Sequence, residues 1–327
     1  MNEIEKAESS DRAQPLVSVV MPCYNVADTL AEAVNSVLQQ TYKNFELILV
    51  NDGSTDDKTP QLCDSFCMDS RVRVIHQANT GLAGARNAGL ASATGDYMAL
   101  LDSDDMYEPE KLAEHVRHLD LQATVGLSFS YSRFLSEDGK PLLLTQGNQT
   151  RDIKAEHVLC RNPVGNGSTA VLRREVLDQV AKPDGSESTH EYFDTELRQS
   201  EDVEFWLRVI ATTSWQVEGI DKPLTLYRLN SGGLSANTAD QLASWELFLD
   251  KASGYAQSTV AQYGSYARAY QLRYLARRSV HNRSPLVAMA YMRDALAAEP
   301  RIILQEPGRT LATAAAALGC VFLAPFS

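Results

Sequence analysis

Cysteine and histidine are scarce in this 327-residue chain, and neither type is grouped into a recognisable site. The sequence contains five Cys and six His at scattered positions. Cys63 and Cys67 are one helical turn apart rather than in a CxxC pair, which argues against a zinc site. An odd number of cysteines also argues against a disulfide framework. No Ser-His-Asp or Cys-His order stands out for nucleophilic catalysis. We therefore expect structural thiols in a reducing compartment.

Apolar segments that would direct the chain to or across a membrane are also lacking. Residues 1–15, MNEIEKAESSDRAQP, contain no apolar region of a signal peptide, so we expect a polar leader and a cytoplasmic protein. The terminal run 310–327 is uncharged but shorter than the roughly 20 apolar residues of a spanning helix. Two interpretations stay open for it. It is a buried packing helix, or it joins the nearby arginines in a peripheral contact with the inner face of the plasma membrane.

Basic residues are too few for a nucleic-acid-binding surface. The net charge is −12, and residues 1–239 carry 21 Lys and Arg against 36 Asp and Glu. Residues 240–327 carry 9 Lys and Arg against 6 Asp and Glu. The acidic body argues against nucleic acid as a partner, since phosphate binding requires a basic footprint.

The first hundred residues alternate between strand and helix patterns. Apolar, β-branched runs end in polar turns, and amphipathic segments follow them. The predicted strands are LVSVVMPCYN, FELILVND, RVRVIHQ and DYMALLD. This order predicts an α/β fold with a mainly parallel, doubly wound, Rossmann-like sheet whose ligand binds at the carboxyl ends of the strands.

The remainder divides into a continuation of the sheet and a helical region. Residues 125–144 alternate around Asp138-Gly139, which predicts a hairpin-like continuation. From about Asp240 the chain is rich in Ala, Tyr and Arg and lacks Gly clusters, which predicts three or four helices. We therefore expect one α/β domain over residues 16–237 and a helical C-terminal region over residues 238–327.

Two polar segments follow predicted strands, and each has two interpretations. Asp52 in NDGSTDD could bind a base or ribose, or the segment could only turn and cap the next helix. NTGLAGARNAGL has Gly81, Gly84 and Gly89 at spacings that fail the GxGxxG fingerprint. Its helix could hold an anion with help from Arg86, or its glycines could serve helix packing.

The sharpest signal is the acidic run Asp102-Ser103-Asp104-Asp105. Carboxylates this close repel one another unless a cation or a donor compensates them, and Mg²⁺ is typically held by one or two carboxylates together with substrate phosphates. We assign Asp105 to a helix N-cap. Capping does not explain both Asp102 and Asp104.

Acids also precede an amphipathic helix in SEDVEFWLR. Glu201 and Asp202 could stabilise its N-terminus, or one of them could be a general base that accepts a proton from an incoming hydroxyl. His115 and His118 lie on a charged helix, and we expect them to be solvated.

Seven segments occur in an order that resembles a known enzyme family. They are VSVVMPCYN, ILVNDGSTDD, NTGLAGARNAGL, LLDSDD, NGSTAVLRREVL, EDVEFWLR and LYRLNSGGLS. Together, from about Val17 to Ser235, they resemble the inverting glycosyltransferases of family 2, which have the GT-A fold. The resemblance implies metal-dependent transfer of a sugar from a nucleoside-diphosphate donor, usually UDP, to the hydroxyl of a glycan or lipid-linked acceptor. Such an enzyme would act in cell-surface polysaccharide or glycolipid synthesis.

Matching the motifs residue by residue gives the site that the resemblance implies. The nucleotide would be bound by Pro22, Tyr24, Asn25, Asp52, Arg86, Asp102 and Ser103. Asp104, with Asp102, would hold Mn²⁺ or Mg²⁺. Asp202 matches the catalytic base. Glu201, Tyr227 and Arg228 would lie on the diphosphate and acceptor side.

Two segments depart from the family pattern. Asn230 stands where many members have His, and SESTH precedes Phe193-Asp194 where a short Gly-Gly-Phe-Asp/Glu linker is usual. Two rival functions stay open. A nucleotidyltransferase that forms sugar nucleotides would need a Gly-rich triphosphate loop near the first strand, which MPCYNVADTL lacks. A catalytically idle sugar-nucleotide binding module could dispense with Asp202.

Overall fold

The computed structural model describes residues 14–147, 149–183, 190–230 and 237–323. Within these ranges the strands are β1 Val17–Cys23, β2 Phe45–Asp52, β3 Val72–Gln77, β4 Tyr97–Leu100, β5 Met106–Tyr107, β6 Val125–Leu135, β7 Pro141–Gln146, β8 Ala170–Arg173, β9 Lys182–Pro183, β10 His190–Glu191 and β11 Gln216–Arg228.

Helices alternate with the first strands and then continue alone towards the C-terminus. They are α1 Leu30–Leu38, α2 Lys58–Phe66, α3 Gly81–Ser92, α4 Lys111–Leu121, α5 Ala155–Arg161, α6 Arg174–Val180, α7 Glu201–Thr212, α8 Thr238–Tyr255, α9 Gln257–His281, α10 Pro285–Ala298, α11 Ile302–Gln305 and α12 Pro307–Leu323. A 3₁₀ turn covers Gly167–Thr169.

Most strands form one sheet in the order β3-β2-β1-β4-β8-β6-β11-β5, with β7 beside β6. β1 is parallel to both β2 and β4, β2 is parallel to β3, and β6 is parallel to β11. The short strand β8 is antiparallel to β4 and β6. The predicted mainly parallel α/β sheet is therefore confirmed, and the carboxyl ends of β1 to β4 meet at one edge.

The central strand β1 is buried along its whole length because helices cover both faces of the sheet. Its side chains alternate between two cores, as successive strand residues point to opposite faces. Val19 and Met21 belong to the core that includes Val34 of α1. Val20 belongs to the opposite core with Ile48 of β2. This two-sided burial explains why β1 is a continuous apolar run rather than an alternating one.

Aromatic residues join the last helices to the second of these cores. The rings of Phe193 and Phe205 stack with centroids 4.7 Å apart. Trp206 packs edge-on against Phe205 at 5.3 Å. Trp245 and Phe248 of α8 are buried in the same core. The C-terminal helices therefore share apolar packing with α7.

The predicted hairpin is present. β6 and β7 pair antiparallel, and Gly139 in the connecting turn has a φ of +79°, a conformation that favours glycine. Between residues 237 and 323, the described part of this region, there are four long helices, α8, α9, α10 and α12, and the one-turn helix α11. The predicted helical C-terminal region is confirmed. The predicted leader lies mostly outside the described residues.

The terminal helix α12 is buried on one side and exposed on the other, so its packing agrees with the first interpretation of the C-terminal run and the membrane contact stays a prediction. Thr310, Thr313 and Ala317 are buried, whereas Leu311 and Leu318 are exposed on the other side. Residues 324–327 lie outside the described ranges. In the part of the chain that the structure describes, no helix has both the length and the apolar character needed to span a bilayer.

The prediction that His115 and His118 are solvated is wrong. His115 is completely buried, and its Nδ1 lies 2.8 Å from Ser128 Oγ. His118 is half-buried beside the same hydroxyl. Lys111 on this helix is also buried, and its Nζ donates to Thr225 Oγ1 at 3.0 Å. Burial lowers the pKa of both Lys111 and His115. The reason is that α4 packs against β6 and β11, so its polar stripe faces strand hydroxyls.

Candidate active site

The ends of β1 and β2 are tied together by Asn25. Its backbone has a φ of 53°, and its Oδ1 accepts hydrogen bonds from the backbone N–H groups of Thr55 at 2.8 Å and Asp56 at 3.1 Å. Pro22 lies within β1, and the Tyr24 side chain is 46% exposed at its end. The three residues predicted from the first strand therefore stand at the carboxyl edge of the sheet.

Asp52 caps helix α3. Its Oδ1 accepts from the backbone N–H of Thr80 at 2.9 Å and from Gln77 Nε2 at 2.7 Å. Its Oδ2 accepts from the backbone N–H of Gly81 at 2.9 Å. The side chain is buried, so it fixes the start of α3 relative to β2. Its predicted contact with a nucleotide stays a prediction.

Capping and packing account for other parts of these two motifs. Asp56 Oδ1 accepts from the backbone N–H of Lys58 at 2.9 Å at the start of α2, as the capping interpretation predicts. A Cβ at Gly84 would lie 2.4 Å from Thr80 Oγ1, and one at Gly89 would lie 2.3 Å from Val20 Cγ1. Gly84 and Gly89 are therefore needed for close packing of α3.

The turn after β4 presents the two acids at which the sequence predicts a metal. Asp102 accepts a hydrogen bond from Arg86 Nη2 at 2.7 Å, and its own N–H donates to Ser168 Oγ at 3.0 Å. Asp104 accepts one from Asn230 Nδ2 at 2.6 Å. Burial and then the charge of Asp102 raise the pKa of Asp104 to about 6. The turn thus carries negative charge that the protein compensates only in part.

Asp105 does not cap a helix, so that assignment is wrong. It is buried, and it accepts hydrogen bonds from Ser168 Oγ at 2.6 Å and from the backbone N–H of Arg228 at 2.9 Å. The chain continues from it as strand β5 rather than as a helix. Burial raises the pKa of Asp105 well above its usual value. Asp105 therefore supports the turn from within, and Ser103 is buried beside it.

Arg86 joins the acidic turn to helix α7. Its Nη2 bonds Asp102 and its Nη1 donates to Glu201 Oε1, both at 2.7 Å, from a side chain that is almost completely buried. Burial alone would lower the pKa of this guanidinium, but Asp102, Glu201 and Asp202 raise it above its usual value. A Cβ at Gly167 would lie 2.5 Å from Arg86 Nη2, so this glycine makes room for the bridge.

Glu201 and Asp202 occupy the first two positions of α7. Burial raises the pKa of Glu201 to about 7, although Arg86 acts in the opposite direction. Burial also raises the pKa of Asp202, and again Arg86 opposes it. Asp202 Oδ1 accepts from the backbone N–H of Val203 at 2.7 Å, and the residue is partly exposed. An accessible carboxylate of raised pKa has the properties of a general base.

Tyr227 and Arg228 end β11 beside the acidic turn. Arg228 Nε donates to the backbone carbonyl of Asp104 at 2.9 Å, and its Nη2 bonds Glu32 Oε2 at 2.6 Å. The Tyr227 ring meets Phe134 edge-on at 5.9 Å. Residues 231–236, where the predicted diphosphate loop continues, lie outside the described ranges.

Phe193-Asp194, the remnant of the family linker, is held firmly. Lys251 Nζ of α8 bonds both carboxylate oxygens of Asp194 at 2.9 and 2.7 Å, and Lys182 Nζ bonds one at 3.2 Å. A cavity of about 450 Å³ lies here, lined by Lys182, Glu191, Asp194, Thr195, Glu196, Lys251 and Tyr255. Residues 184–189, including most of SESTH, lie outside the described ranges.

Two residues that hold the site were not predicted. Ser168 connects Asp102 with Asp105, and Gly167 accommodates Arg86. Both belong to the segment NGST, which the resemblance already includes. The order of motifs marked that segment, but no local pattern indicated what its side chains contact.

The residues of the acidic turn fit a hard divalent cation. Asp102 and Asp104 could provide oxygen ligands, and a cation there would offset the burial of Asp104 and its repulsion by Asp102, the two causes that raise the pKa of Asp104. Within the ranges that the structure describes, no group of three or more His, Cys, Asp and Glu could hold a metal by itself. A cation bound by two carboxylates and substrate phosphates does not require such a group.

Comparison with known proteins matches this geometry to one family. The model of glycosyl transferase family 2 matches residues 18–181. Glycosyltransferase GlyG of Streptococcus pneumoniae is 45% identical over 121 residues, which are 36% of this chain and 40% of GlyG. A putative teichuronic acid biosynthesis glycosyltransferase, TuaG of Bacillus subtilis, is 30% identical over 230 residues, 68% of this chain and 83% of TuaG. The chain thus spans less than half of GlyG but most of TuaG.

Solved structures show the same GT-A fold. TarS of S. aureus in complex with UDP-GlcNAc superposes with a TM-score of 0.58 at 18% identity, covering 93% of this chain and 88% of TarS 1-349. The mannosyltransferase PcManGT of Pyrobaculum calidifontis, in complex with GDP-Man and Mn²⁺, superposes with a TM-score of 0.60 at 20% identity. The match covers 95% of this chain and 87% of PcManGT. The chain therefore belongs to glycosyl transferase family 2 and has the GT-A fold.

Proposed function

We propose that this enzyme transfers a sugar from a UDP-sugar to an acceptor hydroxyl with inversion at the anomeric carbon, with the help of a divalent metal. The observation that carries the proposal is the bridge made by Arg86. One buried guanidinium bonds Asp102 of the acidic turn and Glu201, the neighbour of Asp202. This bridge would hold a donor bound at the turn and a base on α7 in a fixed arrangement.

Asp202 is the proposed general base. Among the described residues, its carboxylate accepts a hydrogen bond from the backbone N–H of Val203, whereas Glu201 is paired with Arg86. It would accept the acceptor proton as the hydroxyl oxygen attacks the anomeric carbon opposite the departing diphosphate. A single displacement inverts the centre and needs no carboxylate nucleophile. Mn²⁺ or Mg²⁺ at Asp102 and Asp104 would neutralise the charge of the leaving diphosphate.

The donor is proposed to lie along the carboxyl edge of β1, β2 and β4. The exposed ring of Tyr24 offers an aromatic face for a base, with Pro22 and Asn25 beside it. UDP is supported by the TarS structures with UDP and UDP-GlcNAc, while PcManGT was solved with GDP-Man and Mn²⁺. Both nucleotides therefore belong in the test.

A glycan or lipid-linked acceptor is proposed, in the synthesis of a cell-surface polysaccharide or glycolipid. The similarity to a putative teichuronic acid glycosyltransferase supports this class. We place the protein in the cytoplasm, with α10 to α12 lying on the inner face of the membrane.

The surface of α10 to α12 supports that contact. Large apolar side chains are exposed on three successive helices: Leu286, Val287, Met289, Ile303, Leu304, Leu311 and Leu318. Arg293, Arg301 and Arg309 on or next to these helices are also exposed, and they pair with Asp294, Glu299 and Glu306. Apolar side chains with interspersed arginines match an anionic lipid surface, which takes up the apolar groups and attracts the cations.

Flotation with liposomes tests the membrane contact. We expect binding to anionic vesicles, weaker binding to zwitterionic ones, and loss of binding on Leu304→Ser with Leu311→Ser. Leu121→Ser, at an equally exposed position on α4, is the matched control and should leave flotation unchanged. Absence of flotation with anionic vesicles would contradict the proposal. A concentration-dependent dimer that the double variant abolishes would also contradict it, because a second copy of the chain would then cover this face.

Ligand-induced stabilisation tests the donor and the metal together. We expect UDP and one UDP-sugar, but not GDP or GDP-Man, to raise the melting temperature, and only with Mn²⁺ or Mg²⁺. A ligand at 100 times its Kd stabilises the native state by about 2.7 kcal/mol. Asp104→Ala should lose this response, and Asp178→Ala, at an exposed acid, should keep it. Anomeric configuration of the product by NMR then tests inversion.

The same assays separate the rival functions. A nucleotidyltransferase would release pyrophosphate from a nucleoside triphosphate and a sugar phosphate. A binding module would show the metal-dependent stabilisation without transfer to any acceptor. Either result would overturn the proposed reaction.

A further inference from the structure

The residue next to Arg86 makes an equally specific set of contacts. Asn87 Oδ1 accepts hydrogen bonds from the backbone N–H groups of Tyr192 at 3.1 Å and Phe193 at 2.8 Å. Its Nδ2 donates to the backbone carbonyl of Phe193 at 2.8 Å. The side chain thus satisfies three backbone groups of a segment that is more than a hundred residues away in sequence.

Two consecutive residues of α3 therefore hold both ends of one stretch of chain. Asn87 holds Phe193, and Arg86 holds Glu201. The stretch between them, residues 194–200, leads directly into Asp202. Ser200 at its end has a φ of +65°, so the entry into α7 has a defined and strained geometry.

Other elements support the segment without replacing Asn87. Arg208 of α7 donates to the carbonyl of Tyr192, and Lys251 of α8 bonds Asp194. The Phe193 ring stacks on Phe205. On α3, the Arg86 guanidinium also lies over the Phe193 ring, 5.4 Å from its centroid, but the hydrogen bonds from α3 to the backbone of Tyr192 and Phe193 described here are those of Asn87.

We propose that Asn87 is a positioning residue that aligns the stretch 193–200, and through it Asp202 and the cavity beside Asp194, with the donor bound at the acidic turn. Asn87 lies outside the set of residues proposed above to contact the donor. Its loss should therefore impair the acceptor step and leave nucleotide binding intact. This inference rests on the proposed function, with Asp202 as the base.

The experiment compares Asn87→Ala and Asn87→Asp with the wild type. Alanine removes all three hydrogen bonds, whereas aspartate keeps the two accepted from Tyr192 and Phe193 and loses the donated one. Ser92→Ala is the matched control, because the Ser92 hydroxyl on the same helix bonds only the Gly89 carbonyl in the described structure. The readouts are the UDP affinity with Mn²⁺, the acceptor kinetics, and amide hydrogen exchange of Tyr192 and Phe193.

In Asn87→Ala we expect faster hydrogen exchange of the Tyr192 and Phe193 amides and an unchanged affinity for UDP. The value of kcat/KM for the acceptor should fall about 10²-fold, because a misplacement of about 1 Å can cost that much. Asn87→Asp should lie between it and the wild type, and it provides the measurement should the alanine variant fail to fold. Ser92→Ala should resemble the wild type.

Wild-type acceptor kinetics in Asn87→Ala would overturn the proposal, as would a parallel loss of UDP affinity or unchanged amide exchange. Failure of the proposed function is recognised separately, because the wild type itself would then transfer no sugar. In that case the exchange rates of the two amides still decide whether Asn87 fixes this segment.

Discussion

Among single residues, Arg86 organises the charges of the site. It compensates Asp102 and Glu201 from a buried position, and a bidentate guanidinium is suited to hold two carboxylates in a fixed arrangement. Asp104 and Asp202 are left with weaker compensation, and the pKa of each is raised by burial. These are the acids to which we assign the metal and the acceptor proton.

Replacing Asp202 should remove proton transfer without disturbing the donor site. We expect Asp202→Asn to lower kcat by about 10²- to 10⁴-fold, the usual contribution of a general base. The affinity for UDP with Mn²⁺ should stay at the wild-type value. Asp178→Asn makes the same chemical change at an exposed position and should be neutral. Full activity in Asp202→Asn would remove this residue from the mechanism.

The pH dependence of the wild type follows from the same residue. A base acts when deprotonated, so the rate should rise with pH as Asp202 loses its proton. Burial raises the pKa of Asp202, Arg86 opposes this shift, and Asp102 adds to it. The midpoint of the increase in rate should therefore lie above about pH 3.9, the pKa of an unperturbed Asp. A profile of kcat/KM that is flat down to that value would contradict the assignment.

Among the elements, helix α4 is unusual because polar side chains on one of its faces, Lys111 and His115, are buried. His115 is neutral in the fold because burial lowers its pKa, whereas in the unfolded chain it gains a proton below about pH 6.5. At this position the unfolded state then binds more protons than the native state. The contribution of His115 to stability should therefore fall as the pH is lowered through this range.

Substitution of His115 tests this linkage. The free energy of unfolding, measured with urea between about pH 5 and 7, should decrease more steeply with falling pH in the wild type than in His115→Gln, by up to about 1.4 kcal/mol per pH unit. Half-buried His118 leaves part of the slope in the variant. His281→Gln, at an exposed position, should keep the wild-type slope, and equal slopes in all three proteins would refute the prediction.

The sequence predicted elements well where their pattern is local. β1, β2 and the hairpin of β6 and β7 follow from apolar runs and turn residues, and the position of the acidic turn follows from the end of β4. Asp105 and His115 were misassigned because their environment comes from distant segments. Asp105 is held by Arg228, and His115 by Ser128 of β6. Helical periodicity reports none of these contacts.

The same limit applied to the site. The resemblance supplied Arg86 and Glu201 as separate residues, and only the fold shows that they are bonded across 115 positions. Asn87 follows Arg86 in the same motif, yet nothing in the local pattern indicated that its side chain bonds the backbone of Phe193. Long-range hydrogen bonds of this kind depend on how α3 and α7 are packed.

On the scale of the whole molecule, the C-terminal helices are joined to the α/β part of the chain by apolar packing. Trp245 and Phe248 of α8 lie in the core that also contains Phe205 and Trp206 of α7. We therefore expect Trp245→Ala to destabilise the whole protein by about 3–5 kcal/mol, as other deletions of buried aromatic side chains do. Leu304→Ala, at an exposed position, should cost at most about 0.5 kcal/mol.

Denaturant unfolding monitored by two probes checks this prediction. In the wild type, far-UV circular dichroism and the loss of metal-dependent UDP binding should give the same denaturant midpoint. In Trp245→Ala both midpoints should shift to lower denaturant concentration by the same amount. Separate transitions, with nucleotide binding unaffected by the substitution, would show that the C-terminal helices form an independent unit.

The most direct test of the account is a titration with Mn²⁺ followed by electron paramagnetic resonance, with and without UDP, on the wild type, Asp104→Ala and Asp202→Asn. We predict that UDP tightens Mn²⁺ binding in the wild type and in Asp202→Asn, and that Asp104→Ala loses this effect. Equal Mn²⁺ binding in all three proteins, or none that depends on UDP, would contradict a metal held between the acidic turn and the donor diphosphate.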